Sequence, residues 1–219
     1  MTELKKWENP IENKQSFPYL QYTPLKYNKD TNTGKWPLLV CLHGAGERGD
    51  DGSLIHFNLP FDLAKPEQGE GLPFFMVAPQ CPKGKYWGCF IESLNDYLDY
   101  IIEVLPIDPK RVYLTGLSMG GTGTWGWGIA NPERFAAIIP VCGTGICWNT
   151  EMLKTTPVWA HHGTVDSCIP ASESIDMVNR IRCQGGNARL SLYEGVDHDS
   201  WIQAYSNLKL YKWMLEQTL

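Results

Sequence analysis

Arg111-Val112-Tyr113-Leu114-Thr115-Gly116-Leu117-Ser118-Met119-Gly120-Gly121 is the stretch on which the fold turns. An apolar, β-branched run stops at a glycine, a serine follows two residues later, and two glycines lead into a segment of helical character. This is Gly-x-Ser-x-Gly set as strand, sharp turn and helix. A serine on such a turn has its Oγ thrust out of the backbone at a strained φ/ψ, which only very small neighbours tolerate. Gly116 and Gly120 supply the room, because a Cβ at either would press the strand against the outgoing helix. The amide of Met119 would then face a developing oxyanion, aided by the positive end of the helix dipole. The competing reading is a glycine-rich turn without chemistry, and the choice rests on the partners found elsewhere.

Outward from this turn, the chain alternates strands and helices. Pro37–Leu42 and Phe74–Ala78 are near-continuous apolar runs, as expected of strands buried on both faces of a parallel sheet. Tyr19–Thr23 reads as an early edge strand, followed by a turn-rich connection over 28–34. Residues 50–71 form a long polar connection with a short helical candidate at Phe61–Ala64, and a connection of that length points to a functional loop. Ile91, Leu94, Leu98, Ile101, Ile102 and Leu105 make a helical stripe ending before Pro106. Helix 119–130, strands 136–141, 157–161 and 188–193, a helix after Pro170 with Ile175, Val178 and Ile181 inward, and a last helix carrying Ala204, Leu208, Tyr211 and Leu215 complete the series. The expected architecture is a three-layer α/β fold, a mostly parallel central sheet with helices on both faces. Residues 1–18 read as an N-terminal surface arm and 19–219 as one domain.

With 219 residues, 43% of them apolar, the chain can bury one core. Its net charge of −5 is spread along the length and there is no basic stripe, which argues against a nucleic-acid partner. Cysteines 41, 81, 89, 142, 147, 168 and 183 are odd in number and scattered without Cys-x-x-Cys spacing. They read as reduced residues of an intracellular, cytoplasmic protein, with a Cys81–Cys89 bridge left open. Neither a leader nor a membrane span is read, and no membrane partner is expected.

In a parallel sheet, ligands bind off the carboxyl ends of the strands. Two further polar clusters follow strands: His162-Gly-Thr-Val-Asp166 and Glu194-Gly-Val-Asp-His198. Ser118, Asp166 and His198 thus stand in the order serine, acid, histidine. A serine hydroxyl needs a neutral imidazole to take its proton, and the imidazole needs a carboxylate to set its tautomer. His198 is the candidate base and Asp166 its orienter. After the strand at 37–42, the loop His43–Gly49 places Ala45, whose amide would join that of Met119 as oxyanion hole, at roughly 3–4 kcal/mol per donor. His43 is read as a tether of this loop. Asp166 could instead cap the helix that follows, and Asp197 and Asp199 are too close in sequence to reach the imidazole's far nitrogen. Glu47 and Arg48 are either a solvated pair or an ion pair holding the loop. His161, His162 and His198 invite a metal, but adjacent strand residues point to opposite faces, so neither a metal nor another cofactor is expected. Trp125 and Trp127 read as packing, Trp201 as a prop for the histidine loop, and Tyr86 and Trp87 as candidate substrate-pocket residues.

Leu42-His-Gly-Ala-Gly-Glu-Arg-Gly, Gly116-Leu-Ser-Met-Gly-Gly, His162-Gly-Thr-Val-Asp and the His198 segment together resemble the α/β-hydrolase superfamily from about residue 19 onward. The chain is similar to its small carboxylesterase/phospholipase, dienelactone-hydrolase and prolyl-oligopeptidase-like branches. It departs from them in places: dienelactone hydrolases carry cysteine where Ser118 stands, acyl-protein thioesterases carry glutamine where Met119 stands, and there is no sequence for a propeller. The resemblance implies a serine esterase acting on a small-molecule ester through an acyl-enzyme. A peptidase or thioesterase with the same three residues, or a silent binding protein of this fold, are the alternatives. Only residues 142–156 separate the strand after the nucleophile helix from the next, too few for a lid domain. An open pocket shaped by loops 46–72 and 79–90 is therefore expected, suited to short-chain or aryl esters. The oligomeric state is not readable.

Overall fold

The apolar run at 37–42 that reads as a doubly buried strand lies fourth across the sheet, at its centre. In the computed structural model, which describes residues 1–31, 34–55, 57–65 and 70–219, eight strands form one sheet. They are β1 (Thr2–Trp7), β2 (Phe17–Tyr22), β3 (Trp36–Leu42), β4 (Phe75–Pro79), β5 (Ile107–Leu117), β6 (Ala137–Val141), β7 (Val158–Gly163) and β8 (Ala188–Tyr193). Their spatial order is β1-β2-β4-β3-β5-β6-β7-β8. The first two pairings are antiparallel and all the others parallel.

Strand β3 shows how the three layers arise. Leu38, Val40 and Leu42 point to one face and pack with α2 (Ile91–Val104), α3 (Met119–Ala130) and α4 (Ser172–Cys183). Leu39 and Cys41 point to the other and pack with α1 (Pro60–Leu63), α5 (Trp201–Ser206) and α6 (Leu208–Leu215). A period of two in side-chain direction makes a continuous apolar run feed both cores. Because β3 and β5 to β8 run parallel, their carboxyl ends share one rim, and His43, Ser118, Cys142, Thr164 and Glu194 each follow one of them.

Three expectations need correction. Residues 2–7 of the surface arm form the edge strand, so the strand beginning at Phe17 lies second and not at the edge. Five of the six side chains in β1 remain at least partly exposed, but Trp7 is buried against Phe17 and Tyr97. Burying one aromatic of that size contributes roughly 2–3 kcal/mol and anchors the strand. The last helix is two helices, because Asn207 leaves the helical region and its side chain accepts from Lys209 N. The break resets the buried face to Leu210, Tyr211, Trp213 and Met214, leaving Leu208 exposed. In α4 the inward residues are Met177, Val178 and Ile181, with Ile175 only half-buried. Parts of the 28–34 connection and of the 46–72 loop lie outside the described residues. Among the described residues no helix is long and apolar enough to cross a membrane.

Candidate active site

Ser118 sits between β5 and α3 at φ 55°, ψ −118°, a conformation costing a non-glycine residue about 1–3 kcal/mol. Its neighbours hold it there: Ser118 N donates to Val141 O at 3.0 Å, and Ser118 O accepts from Thr122 N at 3.0 Å. A Cβ on Gly116 would lie 2.4 Å from Gly120 O, and one on Gly120 only 1.9 Å from Leu42 O. The elbow therefore depends on strand and helix backbones touching.

The hydroxyl meets His198, whose Nε2 is 2.7 Å from Ser118 Oγ. On the far side His198 Nδ1 is 2.8 Å from Asp166 Oδ2. Asp166 is wholly buried in its side chain, and its other oxygen accepts from the amides of Cys168 and Ile169, both at 2.9 Å. Burial alone would raise its pKa, but the Ile169 amide, His198 and the Cys168 amide outweigh that and hold it below the usual carboxylate value. An ionised carboxylate only accepts, so His198 carries its proton on Nδ1 and offers Nε2 as the acceptor for Ser118.

Two further residues complete this arrangement. His162 Nε2 is 2.9 Å from Ile169 O and 3.2 Å from Asp166 Oδ2, while Nδ1 is 2.7 Å from Ser174 Oγ. A carbonyl can only accept, so Nε2 carries the proton and the Ser174 hydroxyl donates to Nδ1. The sequence singles out His162 only as a metal ligand; its spacing of four from Asp166 was the available signal. His161 faces the opposite side, hydrogen-bonded to Tyr193 Oη at 2.9 Å. Asp197 does not approach the imidazole: it accepts from Ser167 N at 2.7 Å and His198 N at 2.8 Å, tying the acid and histidine loops together. Trp201 packs edge-on to His198, with ring centroids 5.6 Å apart. Trp125 and Trp127 are fully buried.

The loop bearing Ala45 is held from several sides. His43 Nε2 accepts from Cys81 N at 2.9 Å, leaving Nδ1 protonated and donating to Gly44 O at 2.6 Å. Burial presses its pKa down to about 4, so it stays neutral. Arg48 pairs not with Glu47 but with main chain, its Nε donating to Ala45 O at 2.8 Å. Gln80 Nε2 donates to Glu47 O at 2.9 Å. Met119 is the first residue of α3, where an amide has no intrahelical acceptor.

Cys142 Sγ, Asp166 and His198 bring ligand-type atoms within 4.8 Å of one another. Asp166 and His198 already bond each other, and burial pushes the Cys142 thiol up to about 12, so this trio is not prepared for a metal. All seven cysteines are free thiols, Cys81 and Cys89 included.

Met119, the residue after Ser118, borders an open cavity of about 710 Å³ that neither Ser118 nor His198 itself lines. Tyr86 and Trp87 line it, Tyr86 exposed at the mouth and Trp87 buried with its Nε1 donating to His43 O at 3.0 Å. The other walls are α3 and residues 144–152, and no described residue of the 46–72 loop contributes, contrary to expectation.

The profile of the Dienelactone hydrolase family matches residues 90–206, a span that holds Ser118, Asp166 and His198. The chain belongs to the dienelactone hydrolase family. Among solved structures, this member of the dienelactone hydrolase family is similar to a thermostable esterase, at 32% identity and a TM-score of 0.87, over 100% of this chain and 63% of that one. It is similar to the poly(3-hydroxyoctanoate) depolymerase of Pseudomonas fluorescens, 27% identical over 63% of this chain and 59% of the relative. It is also similar to the bifunctional acetylxylan esterase/xylanase of Neocallimastix patriciarum, 27% identical over 61% of this chain and 20% of the relative. The aligned regions thus cover less than two thirds of these three proteins. The fold is that of the α/β-hydrolases.

Proposed function

We propose that this chain is a serine hydrolase that cleaves carboxylic esters through an acyl-enzyme. The observation that carries the reading is the unbroken line of hydrogen bonds from Ser118 Oγ through His198 to Asp166, at 2.7 and 2.8 Å. Ser118 Oγ bonds to the ester carbonyl carbon as its proton passes to His198 Nε2, and the carbonyl electrons move onto oxygen. The amides of Ala45 and Met119 receive that oxyanion. Its collapse breaks the bond to the leaving oxygen, which takes the proton from His198. Water, deprotonated by the same nitrogen, then attacks the acyl-enzyme, and Ser118 leaves with the proton as the acid is released. Asp166 keeps the imidazole in its tautomer throughout and stabilises its charged form.

The substrate is a small-molecule ester, with neither nucleic acid nor membrane as partner and without a metal. Seven free thiols support a reducing, cytoplasmic setting. A fluorophosphonate probe tests the mechanism: it labels the protein covalently, and Ser118→Ala abolishes both labelling and hydrolysis of p-nitrophenyl acetate. Labelling retained in Ser118→Ala refutes the assignment.

A further inference from the structure

The cavity bordered by Met119 has an unexpected floor. Helix α3 holds five glycines in twelve residues, a poor composition for a helix. Packing accounts for four of them. A Cβ on Gly120 or Gly121 would lie 1.9 or 2.3 Å from the carbonyl of Leu42 or Val141, one on Gly123 2.7 Å from Trp87 Cβ, and one on Gly128 2.9 Å from Ile138 Cδ1. Gly126 is different, since a Cβ there would meet nothing within 4 Å. It is solvent-exposed and lines the cavity, so its missing side chain leaves this part of the open floor uncovered.

The position of that space relative to the reacting atoms assigns its occupant. In the tetrahedral intermediate the carbon bears Ser118 Oγ, the oxyanion, the leaving oxygen and the acyl substituent. The oxyanion is taken by Ala45 and Met119, and the leaving oxygen must lie against His198 Nε2 to receive its proton. The acyl substituent is therefore the group directed away from His198. The cavity lies on that side: it begins at Met119 and continues along α3 toward Ile146 and Met152, and none of its described lining residues comes from the 164–200 loops. Trp87, Met119, Ile129, Ile146 and Met152 make its surface largely apolar; it is open to solvent, with Ile146 and Met152 exposed at its edge, and its volume falls in the range of small-organic-ligand sites.

We propose that this cavity is the acyl pocket, that it takes a bulky, apolar acyl group, and that Gly126 sets its depth. The proposal rests on the serine-hydrolase reading. In the test, kcat/KM is measured for two p-nitrophenyl esters, the acetate and the 3-phenylpropanoate, and separately for methyl and benzyl acetate. The wild type favours 3-phenylpropanoyl over acetyl by at least tenfold. Gly126→Leu cuts that ratio at least tenfold and leaves the benzyl-to-methyl ratio within twofold. Ile146→Trp, on the facing wall and largely exposed, lowers the same acyl ratio without burdening the core. A shift in the alcohol ratio with the acyl ratio constant would assign the cavity to the alcohol and overturn the proposal, as would unchanged ratios in both variants. If the folded wild type hydrolyses none of these esters and resists the fluorophosphonate, the serine-hydrolase reading itself fails and the pocket assignment with it.

Discussion

Lowering the pH from 7 to 5 should cost this protein about 4 kcal/mol of stability, and two histidines account for it. His43 is 1% exposed and His161 0%, and burial presses their pKa values down to about 4 and about 3. At His43 the Gly44 carbonyl opposes the shift and the Arg48 charge adds to it. Hydrogen bonding gives the same direction, since protonating His43 Nε2 would turn the acceptor of the Cys81 amide into a donor facing it. In the unfolded chain both imidazoles titrate near the ordinary value of about 6.5. Between that value and the folded pKa the unfolded state binds the extra proton, so stability is complete above about 6.5 and is lost as pH falls towards 4. At pH 5 each unfolded imidazole has gained a factor of about 25 in its binding polynomial relative to pH 7, or about 2 kcal/mol, while the folded one has gained almost nothing. Carboxylates with lowered pKa values, Asp166 among them, act in the same direction but only at lower pH. Urea unfolding at pH 7 and pH 5 and constant ionic strength, followed by circular dichroism and tryptophan fluorescence, measures the difference. His43→Gln, whose amide oxygen can still accept from Cys81 N, should roughly halve it. A wild-type unfolding free energy equal at the two pH values within about 1 kcal/mol would refute the reasoning, as would a His43→Gln variant with the full pH dependence.

Two other predictions concern the elbow and the acid. Gly120→Ala places a Cβ against the Leu42 carbonyl and should cost at least about 3 kcal/mol, lowering Tm by roughly 6–12 °C, whereas Gly126→Ala should raise stability by about 1 kcal/mol through helix propensity alone; calorimetry showing the two variants alike would contradict the packing argument. His162→Ala removes the ring that bonds Ile169 O and lies against Asp166 Oδ2, and should lower kcat on p-nitrophenyl acetate about tenfold with little change in KM, while His162→Gln, which keeps an N–H in that direction, recovers most of the rate; an alanine variant within twofold of wild type would count against a positioning role.

What could be read from the chain alone was whatever local chemistry enforces. Apolar runs such as Leu38–Leu42 can be satisfied only by a strand covered on both faces, and a serine between Gly116 and Gly120 only by a tight strand-to-helix turn. The three-layer parallel architecture follows from repeating such units, and with it one rim where Ser118, Asp166 and His198 each follow a strand. Elements with weak local patterns were not legible. Thr2–Trp7 is a polar edge strand held by backbone pairing and one buried tryptophan, and the break at Asn207 is a single cap inside an otherwise helical stretch. Tertiary structure alone decided that Asp197 joins two loops, that His162 turns toward Asp166, and that the 144–152 segment forms one wall of an open cavity whose floor includes the exposed Gly126. Those contacts join residues tens of positions apart, or depend on which way a side chain leaves the end of a strand. Periodicity reports only which face of an element is buried, so the partner across the gap appears only when the chain is folded.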